Sequence, residues 1–150
     1  MECVPGQPVD LERTPGATLE HVSVYTPAEV VEETGFSLDT LRYYEKIGLL
    51  QPVPRNAAGQ RRFTEDQLDW LGTIRCLRDT GMPIAEMLRF AVLVRDGDHT
   101  IPDRIALLQT HEARVREQIA TLRDRQRYIH GKITYYRRHI PQDDGEQVNG

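Results

Sequence analysis

"SLDTLRYYEKIGLL", residues 37–50, sets two tyrosines side by side behind an arginine in a stretch of helical periodicity. Leu38, Leu41, Tyr44 and Ile47 recur every third residue and form an apolar stripe, while Asp39, Arg42, Tyr43 and Lys46 fall on the other side. Successive residues of a helix lie about 100° apart around its axis, so Tyr43 and Tyr44 cannot share one buried stripe. Tyr44 is therefore expected in a core and Tyr43 in solvent. Ser37 stands where an N-cap belongs, and Gly48 closes the helix.

Toward the N-terminus, "VYTPAEVVEETGF" (residues 24–36) reads as a shorter helix. Thr26 is its N-cap, Pro27 takes the first helical position, Glu29 completes a capping box, and Gly35 ends it. Val30 and Val31 supply its apolar contacts. Two short helices joined by a glycine-containing turn form a helix-turn-helix pattern, which many helical proteins share. The segment that follows, "LLQPVPRNAAGQRRF" (residues 49–63), is more specific. It has two prolines, a turn from Asn56 to Gly59, three arginines (Arg55, Arg61 and Arg62) and no acid. It reads as a short β-hairpin with a basic arm, and two basic elements so close together can grip neighbouring phosphates of a duplex.

Thr64 then caps a third helix with Glu65 and Asp66 in its first turn, and Leu68, Trp70, Leu71, Ile74 and Leu77 line one face. Gly81 ends it and Pro83 opens a fourth, for which Ile84, Met87, Leu88, Ala91 and Val92 are core candidates. Thr100 is available as a cap before Pro102. From there a seam runs through Ile101, Ile105, Leu108, Glu112, Val115, Ile119, Leu122, Gln126, Ile129, Ile133, Tyr136 and Ile140, alternating by four and three, with Glu112 and Gln126 its polar interruptions. A helix near forty residues long spans about 60 Å. It cannot bury such a seam against so small a module, so homodimerisation through a coiled coil is expected, with Ile105, Leu108, Val115, Ile119, Leu122, Ile129 and Ile133 at the interface.

The whole chain of 150 residues carries a net charge of −4, which alone argues against nucleic acid. The charge is unevenly placed. Residues 1–23 carry −3 and residues 141–150 carry −3, whereas residues 36–62 carry +3. The expected organisation is a disordered leader (1–23), a DNA-binding domain with connecting helices (24–94), a dimerisation helix (95–140) and a disordered tail (141–150). The leader lacks the charged start and apolar run of a signal peptide, and no run is long enough to cross a bilayer, so a cytoplasmic, nucleoid-associated protein is expected. Cys3 and Cys76 lie too differently to suggest a structural disulfide, and His99, His111, His130 and His139 show no compact ligand spacing with them. No metal, no cofactor and no catalytic constellation are expected. A coiled-coil adaptor would explain residues 101–140 but not the basic segment.

Three motifs, "TLRYYEKIGLL", the "R…G.RRF" arm from Arg55 to Phe63, and "L..I..LR..GM.I.E" from Leu71 to Glu86, resemble the DNA-binding region of the MerR family of transcriptional regulators. With the long helix that follows, the likeness spans residues 24–138. It implies a mainly α fold: a winged helix-turn-helix followed by a long antiparallel coiled-coil dimerisation helix. It also implies binding to a pseudo-palindromic operator in double-stranded promoter DNA, which the dimer bends and untwists so that RNA polymerase can engage both promoter elements. Carried onto this chain, the family pattern gives Tyr43 a backbone phosphate beside Arg42 and places Ser37 and Thr40 near the start of the recognition helix. Arg61 matches the wing arginine, Arg62 adds a second charge, and Lys46 and Arg55 complete the basic set. Phe63 replaces a frequent tyrosine, which removes a phenolic contact.

No cysteine follows Cys76 in the sequence, so the paired cysteines of metal-sensing members are not found, and a large extra C-terminal domain of the drug-binding kind is not expected. The third and fourth helices are similar to those of the NmlR/AdhR-like branch, which implies a response to aldehydes and other thiol-reactive electrophiles through Cys76. Cys76 falls opposite the apolar face, with Asp69, Gly72, Thr73 and Thr80, and Arg75 and Arg78 would favour its thiolate while Asp79 opposes it. A helical cysteine is also commonly an inert small hydrophobe. A noncovalent ligand against Trp70, Met87 and Phe90 is a further possibility, as is the absence of any effector; these aromatics serve equally well as core.

Overall fold

A computed structural model of the chain describes residues 24–141; the expected leader with Cys3, and the expected tail beyond residue 141, lie outside the described residues. In order come strand β1 (Val24–Tyr25), helices α1 (Pro27–Thr34) and α2 (Leu38–Ile47), strand β2 (Phe63–Thr64), helices α3 (Glu65–Asp79) and α4 (Ile84–Asp96), a 3-10 turn (Asp98–Thr100) and helix α5 (Ile101–Arg138). One compact unit ends at Leu108 and a second begins at Gln109.

The helix ends are set by the local chemistry legible in the chain. The Thr26 hydroxyl accepts from the Glu29 amide at 3.3 Å, and the Glu29 carboxylate accepts from the Thr26 amide at 2.7 Å. That amide, and then the Thr26 hydroxyl, hold the Glu29 carboxyl below its ordinary value. A carboxyl lowered in this way contributes its stabilisation fully above the ordinary carboxylate range and loses it as pH falls through the lowered value. Gly35 turns α1 off at φ 71°. The Arg75 guanidinium donates to the Thr34 carbonyl beside this glycine, whose left-handed backbone favours a residue without a Cβ. Ser37 caps α2 by accepting from the Thr40 amide at 3.1 Å. A second capping box, Thr64 with Gln67, opens α3.

The core of the first unit gathers Leu41 and Tyr44 of α2, Leu71, Ile74 and Leu77 of α3, and Met87, Phe90 and Ala91 of α4 around Phe36, Leu49, Leu50 and Phe63. Tyr44 meets the edge of Phe36 at 5.5 Å between centroids. Trp70 stacks on Phe90 at 5.7 Å, and its indole N–H donates to the Leu49 carbonyl at 2.8 Å. Of the residues suggested to line a noncovalent ligand, Met87 and Phe90 are buried in this core and the partly buried Trp70 packs against it.

Three details differ from the sequence reading: the hairpin, the buried face of α4 and the role of Thr100. The expected hairpin is a single bridge, Arg55 to Arg61, and the paired strands are instead β1 and β2, antiparallel, with Val24 opposite Thr64 and Tyr25 opposite Phe63. Phe63 lies wholly inside, as part of the core. In α4 the inward stripe is Met87, Phe90 and Ala91; Val92 lies beyond it around the axis and is 60 % exposed, and Ile84, in the first turn, is also exposed. Thr100 serves the preceding turn instead of capping α5. Its hydroxyl donates to the Leu93 and Gly97 carbonyls at 2.5 and 2.7 Å and accepts from Arg104 Nε at 2.9 Å.

Within the first unit, Leu107 of α5 packs on the core while Ile101, Ile105 and Leu108 are exposed. In the second unit Ile119, Leu122, Ile129 and Ile133 are exposed and Val115 is half-buried.

Ile74→Ala removes a fully buried side chain and is expected to lower unfolding stability by about 2–5 kcal/mol. Thr64→Ala, which deletes a cap, is expected to lower it by about 0.5–2 kcal/mol. Denaturant unfolding checks both, and an Ile74→Ala midpoint equal to wild type would contradict the core described here.

Candidate nucleic-acid interface

The rotation of α2 about its axis follows from which tyrosine it buries. Tyr44 is 4 % exposed and Tyr43 51 % exposed. Arg42 and Lys46 share the outward face with Tyr43, and Arg42 pairs loosely with Asp39 at 3.5 Å in full solvent. The Ser37 hydroxyl is occupied by the cap and lies 2.9 Å from the Thr40 hydroxyl, so both sit at the N-terminal end of the helix.

Residues 55–62 form a compact loop beside this face. The Asn56 amide donates to the Gln60 carbonyl and the Gly59 amide to the Asn56 carbonyl, each at 2.9 Å. The Asn56 side-chain oxygen accepts from the Ala58 and Gln60 amides at 3.1 and 2.9 Å. Gly59 completes the reversal at φ 78°, a conformation that favours glycine. Arg55 Nη1 donates to the Gly59 carbonyl at 2.7 Å. Arg62 donates from Nη1 to the Arg61 carbonyl at 2.9 Å and from Nη2 to the Gln60 side chain at 3.0 Å. Arg61 turns the other way and donates from Nε to Glu45 of α2 at 3.2 Å.

The eight expected contact residues therefore fall on two adjoining elements. Ser37, Thr40, Arg42, Tyr43 and Lys46 lie on α2, and Arg55, Arg61 and Arg62 on the loop. A cleft lined by Val31, Leu38, Gln60 and Arg62 brings the loop against α1 and α2. On its other flank α2 borders a groove in which Thr40 and Tyr43 share the lining with Arg78, an exposed arginine whose guanidinium lies 5.4 Å from the centre of the Phe36 ring. Sequence reading missed both Arg78 and Glu45 as neighbours of this surface. Arg78 reaches the surface only through tertiary packing, and Glu45, though on α2, meets Arg61 only through it.

Cys76 is half-buried on α3, and its carbonyl accepts from the Thr80 hydroxyl at 2.7 Å. The two arginines expected to favour a thiolate are directed elsewhere. Arg75 is engaged by the Thr34 carbonyl and by Asp79 at 3.3 Å, and Arg78 by the Phe36 ring. Among the described residues no group of three or more His, Cys, Asp or Glu side chains is arranged to hold a metal ion, and no helix is long and apolar enough to cross a membrane.

Comparison with known proteins bears directly on this surface. Residues 25–89 match the family described as MerR HTH family regulatory protein, and residues 68–131 match the one described as MerR, DNA binding. An uncharacterized HTH-type transcriptional regulator of Haemophilus influenzae is 40 % identical over 114 residues, 76 % of this chain and 84 % of that protein. The regulator AdhR of Bacillus subtilis is 34 % identical over 90 residues, 60 % of this chain and 64 % of that one. Among solved structures, HiNmlR, a MerR family regulator lacking the sensor domain, bound to promoter DNA, superimposes with a TM-score of 0.70 at 39 % identity, over 77 % of this chain and 92 % of that chain. A MerR family transcriptional regulator from Bacillus thuringiensis gives 0.68 at 35 % identity, over 76 % of this chain and 100 % of that one. With its helix-turn-helix, its basic loop and these relatives, the chain belongs to the MerR family of DNA-binding transcriptional regulators.

Proposed function

We propose that the protein binds a pseudo-palindromic promoter operator as a homodimer and distorts that DNA to control transcription. The observation that carries the reading is the joint surface of the outward face of α2 and the arginine-bearing loop beside it. A recognition helix and a wing held at one spacing can meet neighbouring phosphates, which positions the protein, while sequence preference comes from base contacts and from the ease of bending the operator. The relative HiNmlR was solved bound to promoter DNA, which supports the same ligand here. RNA polymerase is then affected through the shape of the promoter. A cytoplasmic, nucleoid-associated location follows from that role.

Dimerisation is assigned to the seam of α5. Ile105, Leu108, Ile119, Leu122, Ile129 and Ile133 are exposed in the single chain, at a spacing suited to a second helix. The antiparallel sense of that pairing rests on the family likeness alone.

For the signal, Cys76 is proposed as the point of attack by thiol-reactive electrophiles, supported by the likeness to AdhR and by its partial exposure. A second reading has its own support: Arg75 is engaged by the Thr34 carbonyl and Arg78 lies over the Phe36 ring. In that reading the regulator has no effector of its own.

Tyr43→Phe and Arg61→Ala are each expected to weaken binding to every duplex alike by about 1 kcal/mol, since both groups are assigned to phosphate. A loss confined to one base position, read by anisotropy titration against a panel of duplexes, would contradict that assignment. Ile129→Asp is expected to yield monomers in sedimentation equilibrium and to abolish tight operator binding; an intact dimer would move the interface elsewhere. Run-off transcription from the promoter nearest the gene, with and without an aldehyde, separates the two signalling readings. Induction lost in Cys76→Ser makes the thiol the switch, and equal responses make Cys76 structural.

A further inference from the structure

The Arg61–Glu45 pair joins residues sixteen apart in sequence and links the wing to the recognition helix. Arg42–Asp39, Arg75–Asp79 and Arg116–Glu112, by contrast, are local pairs within single helices. Its side chains are also well shielded, at 21 % and 23 % exposure, against 53 % and 94 % for Arg42–Asp39. An arginine fork has five N–H donors, one on Nε and four on the two terminal nitrogens. Only the Nε edge is taken up by Glu45; among the described residues the terminal nitrogens of Arg61 have no hydrogen-bond partner. Arg55 and Arg62 differ, because their terminal nitrogens are bonded within the loop itself.

We propose that Glu45 is a positioning residue for DNA binding: it grips Arg61 by its Nε edge and presents the two terminal nitrogens to a backbone phosphate at the junction of wing and recognition helix. This inference rests on the reading of the surface as a DNA interface. A guanidinium held in place before binding loses less freedom on meeting the phosphate, and its planar fork suits two parallel bonds to phosphate oxygens. Glu45 thereby fixes both the wing arginine and the distance of the wing from α2.

The proposal makes an expectation opposite in sign to simple charge counting. A carboxylate beside a phosphate-binding surface repels DNA, so its removal should tighten binding if charge were its whole effect. A positioning role requires the reverse. The test uses the full chain and two fluorescent duplexes, one carrying the promoter region nearest the gene and one of scrambled sequence, at several salt concentrations. Glu45→Ala is expected to weaken binding to both by about two- to fivefold, no more than the loss of Arg61 itself, as lost pre-organisation would. Glu45→Gln, which keeps an oxygen acceptor at the same reach, should recover part of that loss. In an Arg61→Ala background Glu45→Ala should cause no further loss, and in that background the salt slope should be lower than wild type by about 1. Melting temperatures accompany each titration, and the cycle with Arg61 separates positioning from general loosening of the fold. Tighter binding by Glu45→Ala, or an equal loss with and without Arg61, would overturn the proposal. Wild type that binds neither duplex would overturn the DNA reading itself, and the role of Glu45 with it.

Discussion

Burying Tyr44 while Tyr43 stays in water decides how α2 is rotated, and the surface proposed to meet DNA depends on that rotation. Tyr44 is anchored by the edge of Phe36 on the chain just before the helix, and its carbonyl accepts from the Leu49 and Leu50 amides just after it. One residue thus ties together both ends of a ten-residue helix. A helix this short has little stability of its own, so its orientation must come from tertiary packing. A rotation by one residue would bring Tyr43 inside and carry Arg42 and Lys46 away from the loop that supplies the other arginines.

The connections around α2 are fastened by side chains that satisfy backbone carbonyls. Arg75 of α3 bonds the Thr34 carbonyl at the end of α1, and Arg95 of α4 bonds the Gly48 carbonyl just past α2. Trp70 takes the Leu49 carbonyl, and Gln67 takes that of Gln51 at 3.2 Å. Carbonyls at helix ends have no intrahelical partner, and a cation there also meets the negative end of the helix dipole. The third and fourth helices therefore do more than supply apolar bulk: they hold the ends of α1 and of α2, the helix that carries most of the proposed DNA contacts.

Most of this fold was legible because its signals are local. Thr26, Ser37 and Thr64 announce three helix starts, Gly35 and Gly48 announce two ends, and the 38–41–44–47 stripe separates core from surface. The failures are tertiary. Two-residue strands carry no periodicity, so nothing marked Val24–Tyr25 as the partner of Phe63–Thr64. Val92 is apolar and next to the buried Ala91, and only the placement of α4 against Trp70 reveals that Phe90 takes the inner position. The same limit applies to the interface. Its cations could be found by type and clustering, but their present partners could not, and in the sum of +3 over residues 36–62 Glu45 counts merely as an acid that subtracts.

That reading of Glu45 shows why net charge is a poor guide to such a surface. The chain is acidic as a whole, and two carboxylates lie on α2 itself. Asp39 sits in the first turn, where a negative charge complements the helix dipole, and it is almost wholly solvated. Water and salt screen it, so its influence on a distant phosphate is small. Glu45 is shielded and bonded, so its charge acts chiefly on the guanidinium it touches. Two acids of the same charge on one helix therefore have different physical meanings, and the difference lies in burial and partner. An arginine steadied by a carboxylate gives up some net positive charge and gains a fixed direction. Under the proposed distortion of the operator, direction is the more useful of the two, because a bend is imposed only when the contacts on either side of it hold a set geometry.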